Sequence, residues 1–158
     1  MKISISITGG ERLKEALNKV AETNLMVKAG IPAGATTTDG MSIAKYAYWN
    51  EVGIPENKLP ARPFLRQTAS DNYSKWKGLL SSNLSFMSLT QDNGEAVMGL
   101  LGEVMVADIK QTIQRGNFAA DSPATVKAKA RKGKSEPNHP LIDTGQMLES
   151  IISEVVKP

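Results

Sequence analysis

The chain has 158 residues and a formal net charge of +3, with 22% charged and 41% hydrophobic residues. A chain of this length fits one domain, which can bury about 70% of the surface that the unfolded chain exposes. Cysteine is absent, and His139 is the single histidine. These counts exclude disulfides, cysteine-based zinc sites and a multi-histidine metal site within one chain. We predict no metal and no cofactor.

The first thirty residues have the pattern of a β-α-β unit. Residues 2–7 alternate polar and apolar side chains, as a half-buried strand does. Residues 11–23 carry an apolar stripe at helical spacing, made up of Leu13, Ala16, Leu17 and Val20. Residues 25–31 then predict a second strand. The loop at 32–40 lacks the lysine and the serine or threonine of a phosphate-binding P-loop, so we interpret it as a solvated loop.

A stiff segment separates the next two predicted helices. Residues 41–52 predict a short helix, with apolar positions at helical spacing. Pro60 and Pro63 then restrict the backbone on both sides of Arg62, and Pro63 suits the first position of a helix. We predict that this helix covers 63–80. The serine-rich residues 81–88 predict a turn between helices or a frayed helix end.

A long helix is predicted in the second half of the chain. Asp92 is its expected N-cap and Glu95 its third residue, as in a capping box. A stripe at three- to four-residue spacing follows, comprising Met98, Leu101, Met105, Ile109 and Ile113. Gly116 is the expected end, because glycine readily adopts the left-handed conformation that terminates many helices.

Residues 117–140 predict a flexible loop that carries the one concentrated positive patch of the sequence. Five of eight residues are basic and none is acidic: Lys127, Lys129, Arg131, Lys132 and Lys134. Two interpretations stay open. The patch contacts DNA phosphates without reading sequence, or it is a solvated loop. In a ring of subunits it would line a channel or become ordered against a partner.

The C-terminal segment predicts a short helix followed by a strand. Asp143 is the expected N-cap, its carboxylate accepting from the first N–H groups of that helix, and Thr144 is expected to hold the same turn. Residues 150–156 are rich in β-branched side chains, which favour a strand. We expect this strand to join the sheet that begins at Ile3.

Two blocks of the sequence resemble one protein family. The first reads Trp49-Asn50-Glu51-Val52-Gly53 and then Pro60-Ala61-Arg62-Pro63-Phe64-Leu65. The second reads Ser122-Pro123-Ala124-Thr125-Val126 and then Pro140-Leu141-Ile142-Asp143-Thr144-Gly145-Gln146-Met147-Leu148-Glu149-Ser150-Ile151. In this order the blocks resemble neck and tail-completion proteins of tailed phages, including those labelled virion morphogenesis or putative tail component. Many members have Phe where this chain has Val52, so Trp49 is the expected aromatic anchor.

The resemblance implies a single α+β domain over 1–158, with a small mixed or antiparallel sheet and helices packed on one face, as in tail-completion and tail-terminator proteins. It implies a homo-oligomeric ring of six or twelve copies at the head–tail junction or the head-proximal end of the tail. The expected partners are the adjacent head-closure and tail-terminator or tail-tube proteins, together with the double-stranded DNA that passes through. The expected location is the virion, after synthesis in the host cytoplasm, with no membrane partner.

We predict that the subunit or partner interface contains Trp49, Glu51, Arg62, Pro63 and Phe64. Arg62 has an alternative role as a local brace between its loop and the following helix. The rival function is that of a small DNA-binding protein that acts alone through residues 127–134, without sequence specificity. We do not expect an enzyme, because no paired carboxylates, metal cluster or nucleophile–base set is apparent and His139 lacks a positioned partner.

Overall fold

The computed structural model describes residues 25–90, 94–134 and 136–157, with the backbone alone for 83–90. Its elements in chain order are β1 (Met26–Gly30), α1 (Ile43–Val52), a 3-10 turn (Pro55–Asn57), α2 (Phe64–Thr90), α3 (Glu95–Arg115), α4 (Pro123–Arg131), α5 (Gln146–Glu149) and β2 (Ile152–Val156). The predicted α+β class is confirmed. The strand predicted over 2–7 and the helix predicted over 11–23 lie outside the described residues.

Strands β1 and β2 form an antiparallel ribbon, in which Met26 pairs with Val156 and Gly30 with Ile152. The strands predicted over 25–31 and 150–156 are both confirmed. The face that contains Val27 and Ser153 lies against Gly102 of α3. Within the described residues the sheet has these two strands, so α3 supplies the packing that an isolated ribbon lacks.

Helix α3 occupies the middle of the described fold, where it packs against α2 and against both strands. Its buried positions recur at helical spacing. Of the predicted stripe, Leu101, Ile109 and Ile113 are buried, and Met98 and Met105 are half-buried. The core contains residues of four helices, of the loop before α5 and of the position directly before β2. These residues are Ile43, Ala47, Phe64, Val106, Ile109, Ile113, Leu141, Met147 and Ile151. Segments far apart in sequence therefore share one apolar interior.

Helix α2 runs on to Thr90, so the turn predicted at 81–88 is wrong. The first two serines of this stretch, Ser81 and Ser82, fit inside the helix because their hydroxyls bond back to carbonyls of the preceding turn. The Ser81 Oγ donates to the Lys77 oxygen at 2.9 Å, and the Ser82 Oγ donates to the Leu79 oxygen at 3.1 Å. A serine that is satisfied inside the helix costs little helix stability.

The two ends of α3 differ in how well the sequence predicted them. The helix begins at Glu95 with Gly94 as its N-cap, two residues later than the predicted cap at Asp92, which lies outside the described residues. At the other end Gly116 is the C-cap, with φ of 65°, so the predicted stop is confirmed. The left-handed backbone at this position favours glycine.

The segment predicted as a flexible loop over 117–140 contains helix α4. Pro123 begins this helix at its first position, where the missing N–H costs no hydrogen bond. The Ser122 Oγ accepts from the Thr125 N–H at 3.2 Å and so caps the first turn. The prediction was wrong because a proline can begin a helix as well as interrupt one.

Two glycines of α3 provide a matched test of this packing. A Cβ atom at Gly102 would lie 2.7 Å from the Ser153 Oγ and 3.1 Å from Val27 Cγ2, whereas a Cβ at Gly99 would meet nothing within 4 Å. We expect Gly99→Ala to stabilise the fold by up to about 1 kcal/mol through helix propensity. Gly102→Ala should destabilise it by about 1–3 kcal/mol through overpacking.

The measurement is the free energy of unfolding from urea titrations followed by circular dichroism. The two variants carry the same substitution in the same helix, so a difference between them reports the contact of α3 with the sheet. Equal stabilisation by both substitutions would contradict the placement of the ribbon on α3.

Candidate functional site

The first block of the family resemblance folds back on itself around Gly53. Its backbone has φ of 77°, and a Cβ at this position would lie 2.7 Å from the Ala61 nitrogen. The Arg62 N–H donates to the Asn50 carbonyl at 2.6 Å. The end of α1 and the proline-stiffened segment before α2 are therefore in direct contact, with glycine required where they approach most closely.

The Arg62 side chain is 4% exposed, and its donors bind acceptors within the chain. The Nε atom donates to the Ala119 carbonyl at 2.8 Å, and Nη1 donates to Asn50 Oδ1 at 3.0 Å. The Nη2 atom donates to the Ala120 carbonyl at 3.1 Å and to Asp121 Oδ1 at 2.8 Å. A guanidinium with five N–H donors in one plane can satisfy all these acceptors at once.

The Asp121 carboxylate also binds a second buried cation, Lys129. The Lys129 Nζ donates to Asp121 Oδ2 at 2.6 Å and to the His139 carbonyl at 2.8 Å. One carboxylate therefore lies between two cations, and backbone carbonyls supply the remaining acceptors. We call this set the Arg62 network: Asn50, Arg62, Ala119, Ala120, Asp121, Lys129 and the carbonyl of His139.

Glu51, next to the network, caps the start of α2. Its carboxylate accepts from the Leu65 N–H at 2.9 Å and from the Arg66 N–H at 3.1 Å. The Arg66 side chain adds a bond from Nε to Glu51 Oε1 at 2.9 Å. A carboxylate at a helix N-terminus satisfies otherwise unpaired N–H groups and interacts favourably with the helix dipole.

His139 ties the end of α3 to the segment before α5. Its Nε2 lies 2.8 Å from the Gln114 carbonyl oxygen, and its Nδ1 lies 2.8 Å from the Pro140 carbonyl oxygen. A Cβ atom at Gly116 would lie 3.0 Å from the Nε2 atom, so the ring packs directly on the helix stop. These contacts give His139 a structural position between two backbone segments.

Two titratable groups close to these elements have shifted pKa values. Burial raises the pKa of the Tyr46 phenol, and the Asp121 and Asp143 charges act in the same direction. The hydrogen bond from the Thr37 hydroxyl lowers the pKa of the Asp39 carboxyl, and Lys132 adds to this effect. Both shifts move the group further from neutral pH, so neither group is tuned for proton transfer there.

The basic run divides into inward and outward side chains. Lys129 is 6% exposed and belongs to the Arg62 network, so the prediction that it faces DNA is wrong. Lys132 lies 3.1 Å from Asp143 Oδ2. Lys127 and Arg131 are exposed on one side of α4, and Lys134 follows the helix and is half-exposed. We call Lys127, Arg131 and Lys134 the basic ridge.

The predicted cap of the C-terminal helix is also different. The N-cap of α5 is Gly145, with φ of 84°, and no side chain caps it in the manner expected of Asp143. The Asp143 carboxylate turns instead to Lys132, while the Thr144 Oγ1 lies 3.4 Å from the Gln146 nitrogen. The prediction failed because the left-handed glycine moves the N-cap two residues beyond Asp143, to Gly145.

The five residues predicted to form an interface occupy different environments. Phe64 is fully buried in the core, and Glu51 and Arg62 are buried by the contacts described above, so these three act within the chain. Trp49 and Pro63 are half-buried, and the Lys45 Nζ lies 5.0 Å from the centroid of a Trp49 ring. For Trp49 and Pro63 the interface stays a prediction.

Comparisons with protein-family models, curated proteins and solved structures found no match. Among the described residues, no group of three or more His, Cys, Asp or Glu side chains is placed to hold a metal ion. In the same part of the chain, no helix is both long and apolar enough to cross a membrane. The interpretation of function therefore depends on the geometry above and on the family resemblance.

Sequence reasoning missed the partner of Arg62. The sequence does contain a signal, because Asp121 is the single acidic residue between Arg115 and Lys134. An isolated carboxylate next to a basic run favours an ion pair within the fold. Asn50 was part of the first block, but no sequence feature indicated that its side chain would accept from Arg62.

Substitutions at Arg62 test whether the network holds the fold together. Arg62→Ala leaves the Asp121–Lys129 ion pair in place but takes one of its two cations from the buried Asp121 carboxylate. It also removes the donors to Asn50 Oδ1 and to the Ala119 and Ala120 carbonyls, so we expect a loss of about 3–5 kcal/mol in the free energy of unfolding. Arg62→Lys keeps the charge but loses the planar fork, so it should lose a smaller amount and remain folded. Chemical denaturation followed by circular dichroism measures both.

The matched control is Arg66→Ala. The Arg66 side chain is 67% exposed, and exposed ion pairs contribute at most about 1 kcal/mol. If Arg62→Lys were as stable as the unchanged chain while Arg66→Ala lost more, the network would not be the main constraint on the fold.

Proposed function

We propose that this chain is a structural protein of a tailed-phage virion, a subunit of a ring at the head–tail junction or the head-proximal end of the tail, through which DNA passes. The observation that carries the proposal is that the two blocks of the family resemblance meet in the fold. The blocks lie far apart in sequence, and a chance match in each would give no reason for them to touch.

One apolar core joins the two blocks, and hydrogen bonds to residues directly beside the second block reinforce it. Arg62 of the first block binds the carbonyls and carboxylate of residues 119–121, which directly precede the second block at Ser122. Lys129 then binds the carbonyl of His139, the residue before Pro140, where the second block resumes. Four block residues also share one apolar core: Phe64, Leu141, Met147 and Ile151.

This arrangement suits a protein that works by assembling with copies of itself. The buried block residues hold α1, α2 and α4 together. In the part of the chain that the structure describes, the outer side of α1 stays exposed, and a neighbouring subunit could contact it. That side carries Tyr48 and Val52, which are 63% and 43% exposed. In a ring the contacts are head-to-tail, so this side of one subunit would meet a different surface of the next.

The rival function, a DNA-binding protein that acts alone, has one observation in its favour. The basic ridge is accessible on the single chain and needs no neighbour to complete it. The two functions differ in the size of the functional species, because the ring requires several copies and the rival requires one.

Solution mass is the first test of the ring. We expect light scattering of the purified chain to give a species several times heavier than the 17.0 kDa of one chain, with a central opening visible by electron microscopy. The measurement is repeated at low and moderate salt, since screening weakens contacts between exposed charges. A monomer that is also missing from virions carrying this gene would contradict the proposal.

Trp49 tests the predicted interface within that ring. Trp49→Ala removes a large aromatic side chain of the kind that dominates interface energies, so we expect the dissociation constant of the assembly to rise at least tenfold. The control is Tyr73→Ala, which removes an aromatic that is 65% exposed on α2. Equal weakening by the two substitutions, or a fall in monomer stability that accounts for the effect, would contradict a specific role for Trp49.

A further inference from the structure

We propose that the basic ridge is a binding site for the phosphate backbone of duplex DNA, that the buried Lys129 takes no direct part, and that Lys132, paired with Asp143 at the surface, contributes less than the ridge. Lys129 is held in the interior by Asp121, and Lys132 is paired with Asp143. Lys127, Arg131 and Lys134 remain. Among the described residues, no carboxylate lies within 4.0 Å of the charged atoms of these three side chains.

The spacing of the ridge favours an anionic ligand. Lys127 and Arg131 are four positions apart on α4, so their side chains are neighbours on one helix face. Like charges at this spacing destabilise a helix unless an anion lies between them. The described fold offers no such anion, whereas a phosphate group carries the charge that would relieve the repulsion.

The surroundings of the two cations favour a duplex over other polyanions. The same helix face carries Ala124 and Ala128, both exposed, whose small side chains allow a bulky backbone to come close. The helix has no aromatic residue, and aromatic side chains are the usual platforms for unpaired bases. Interfaces with proteins are enriched in aromatic residues and depleted in lysine, which is the opposite of this face.

The ridge is also fixed in place before any ligand arrives. Inside the fold, Lys129 anchors α4 to Asp121 and to the His139 carbonyl, on the side opposite the exposed alanines. The Ser122 hydroxyl caps the first turn of the helix. A ligand therefore finds the helix already formed, so binding has to order only the side chains of the ridge.

These contacts carry no sequence information, since the ridge reads charge and not base edges. For its biological setting the inference rests on the proposed function, because contacts of this kind hold DNA in a channel without fixing its register. The binding itself belongs to the single chain and can be measured without a ring.

The test is a titration of a fluorescently labelled 20-base-pair duplex with the purified chain, whose mass in solution is known from light scattering. The titration is repeated at several salt concentrations. With three phosphates neutralised per chain, the slope of log K against log salt should be about −2.7, so that affinity falls about 40-fold between 50 and 200 mM salt. The triple variant Lys127→Gln, Arg131→Gln, Lys134→Gln should lose most of the binding and reduce the magnitude of the slope by about 2.7, to near zero.

The matched control is the triple variant Lys28→Gln, Lys77→Gln, Lys157→Gln, which changes net charge equally on β1, on α2 and beyond β2. All three of these side chains are exposed, and two of them make weak surface ion pairs. The control should keep the affinity and the slope of the unchanged chain. Equal losses in both triple variants would overturn the inference, because net charge alone would then explain binding.

Two further outcomes would also overturn it. One is the absence of duplex binding by the unchanged chain at 50 mM salt. The other is equally tight binding of a labelled polyglutamate peptide, which would indicate an acidic protein partner. The proposed function is tested separately. A chain that forms a ring but does not bind the duplex overturns this inference alone. A chain that binds the duplex but does not assemble overturns the ring alone.

Discussion

A buried arginine constrains its surroundings because it keeps its charge and presents five donors in one plane, each of which needs an acceptor. Arg62 meets this constraint with acceptors from two distant parts of the chain, the end of α1 and the residues just before α4. Each acceptor must stay within hydrogen-bond distance of the guanidinium. The relative positions of α1, α2 and α4 follow from that requirement.

The charge balance of the network adds a second constraint. Arg62 and Lys129 share the single carboxylate of Asp121, so removal of that carboxylate would leave two like charges close together in the interior. Backbone carbonyls reduce the cost of burying the extra positive charge but do not neutralise it. The division between inward and outward basic residues in α4 comes from this arrangement, since Lys129 is needed inside and its neighbours are not.

The parts of the fold with a local cause could be predicted from the sequence. The two strands, α1, the stripe of α3 and its end at Gly116 depend on periodicity or on one residue's backbone preference, and each is confirmed. The Arg62 network was not predicted, because the lone Asp121 indicates an ion pair with the basic run but no pattern links it to Arg62, 59 positions away. The predictions for residues 117–140 and for the cap of α5 failed for another reason. Pro123 and Asp143 each suit more than one local structure, and tertiary contacts decided between them.

The distance in sequence between Arg62 and its acceptors also bears on the order of folding. The hydrogen bonds to Ala119, Ala120 and Asp121 span 57, 58 and 59 positions, so closing them costs loop entropy that local contacts do not. During synthesis, residues 119–121 emerge long after α1 and the start of α2 are complete. The anchored form of α4 therefore cannot form before residues 119–121 have been made, and a shorter chain carries Arg62 with Asn50 alone among its side-chain acceptors in the network.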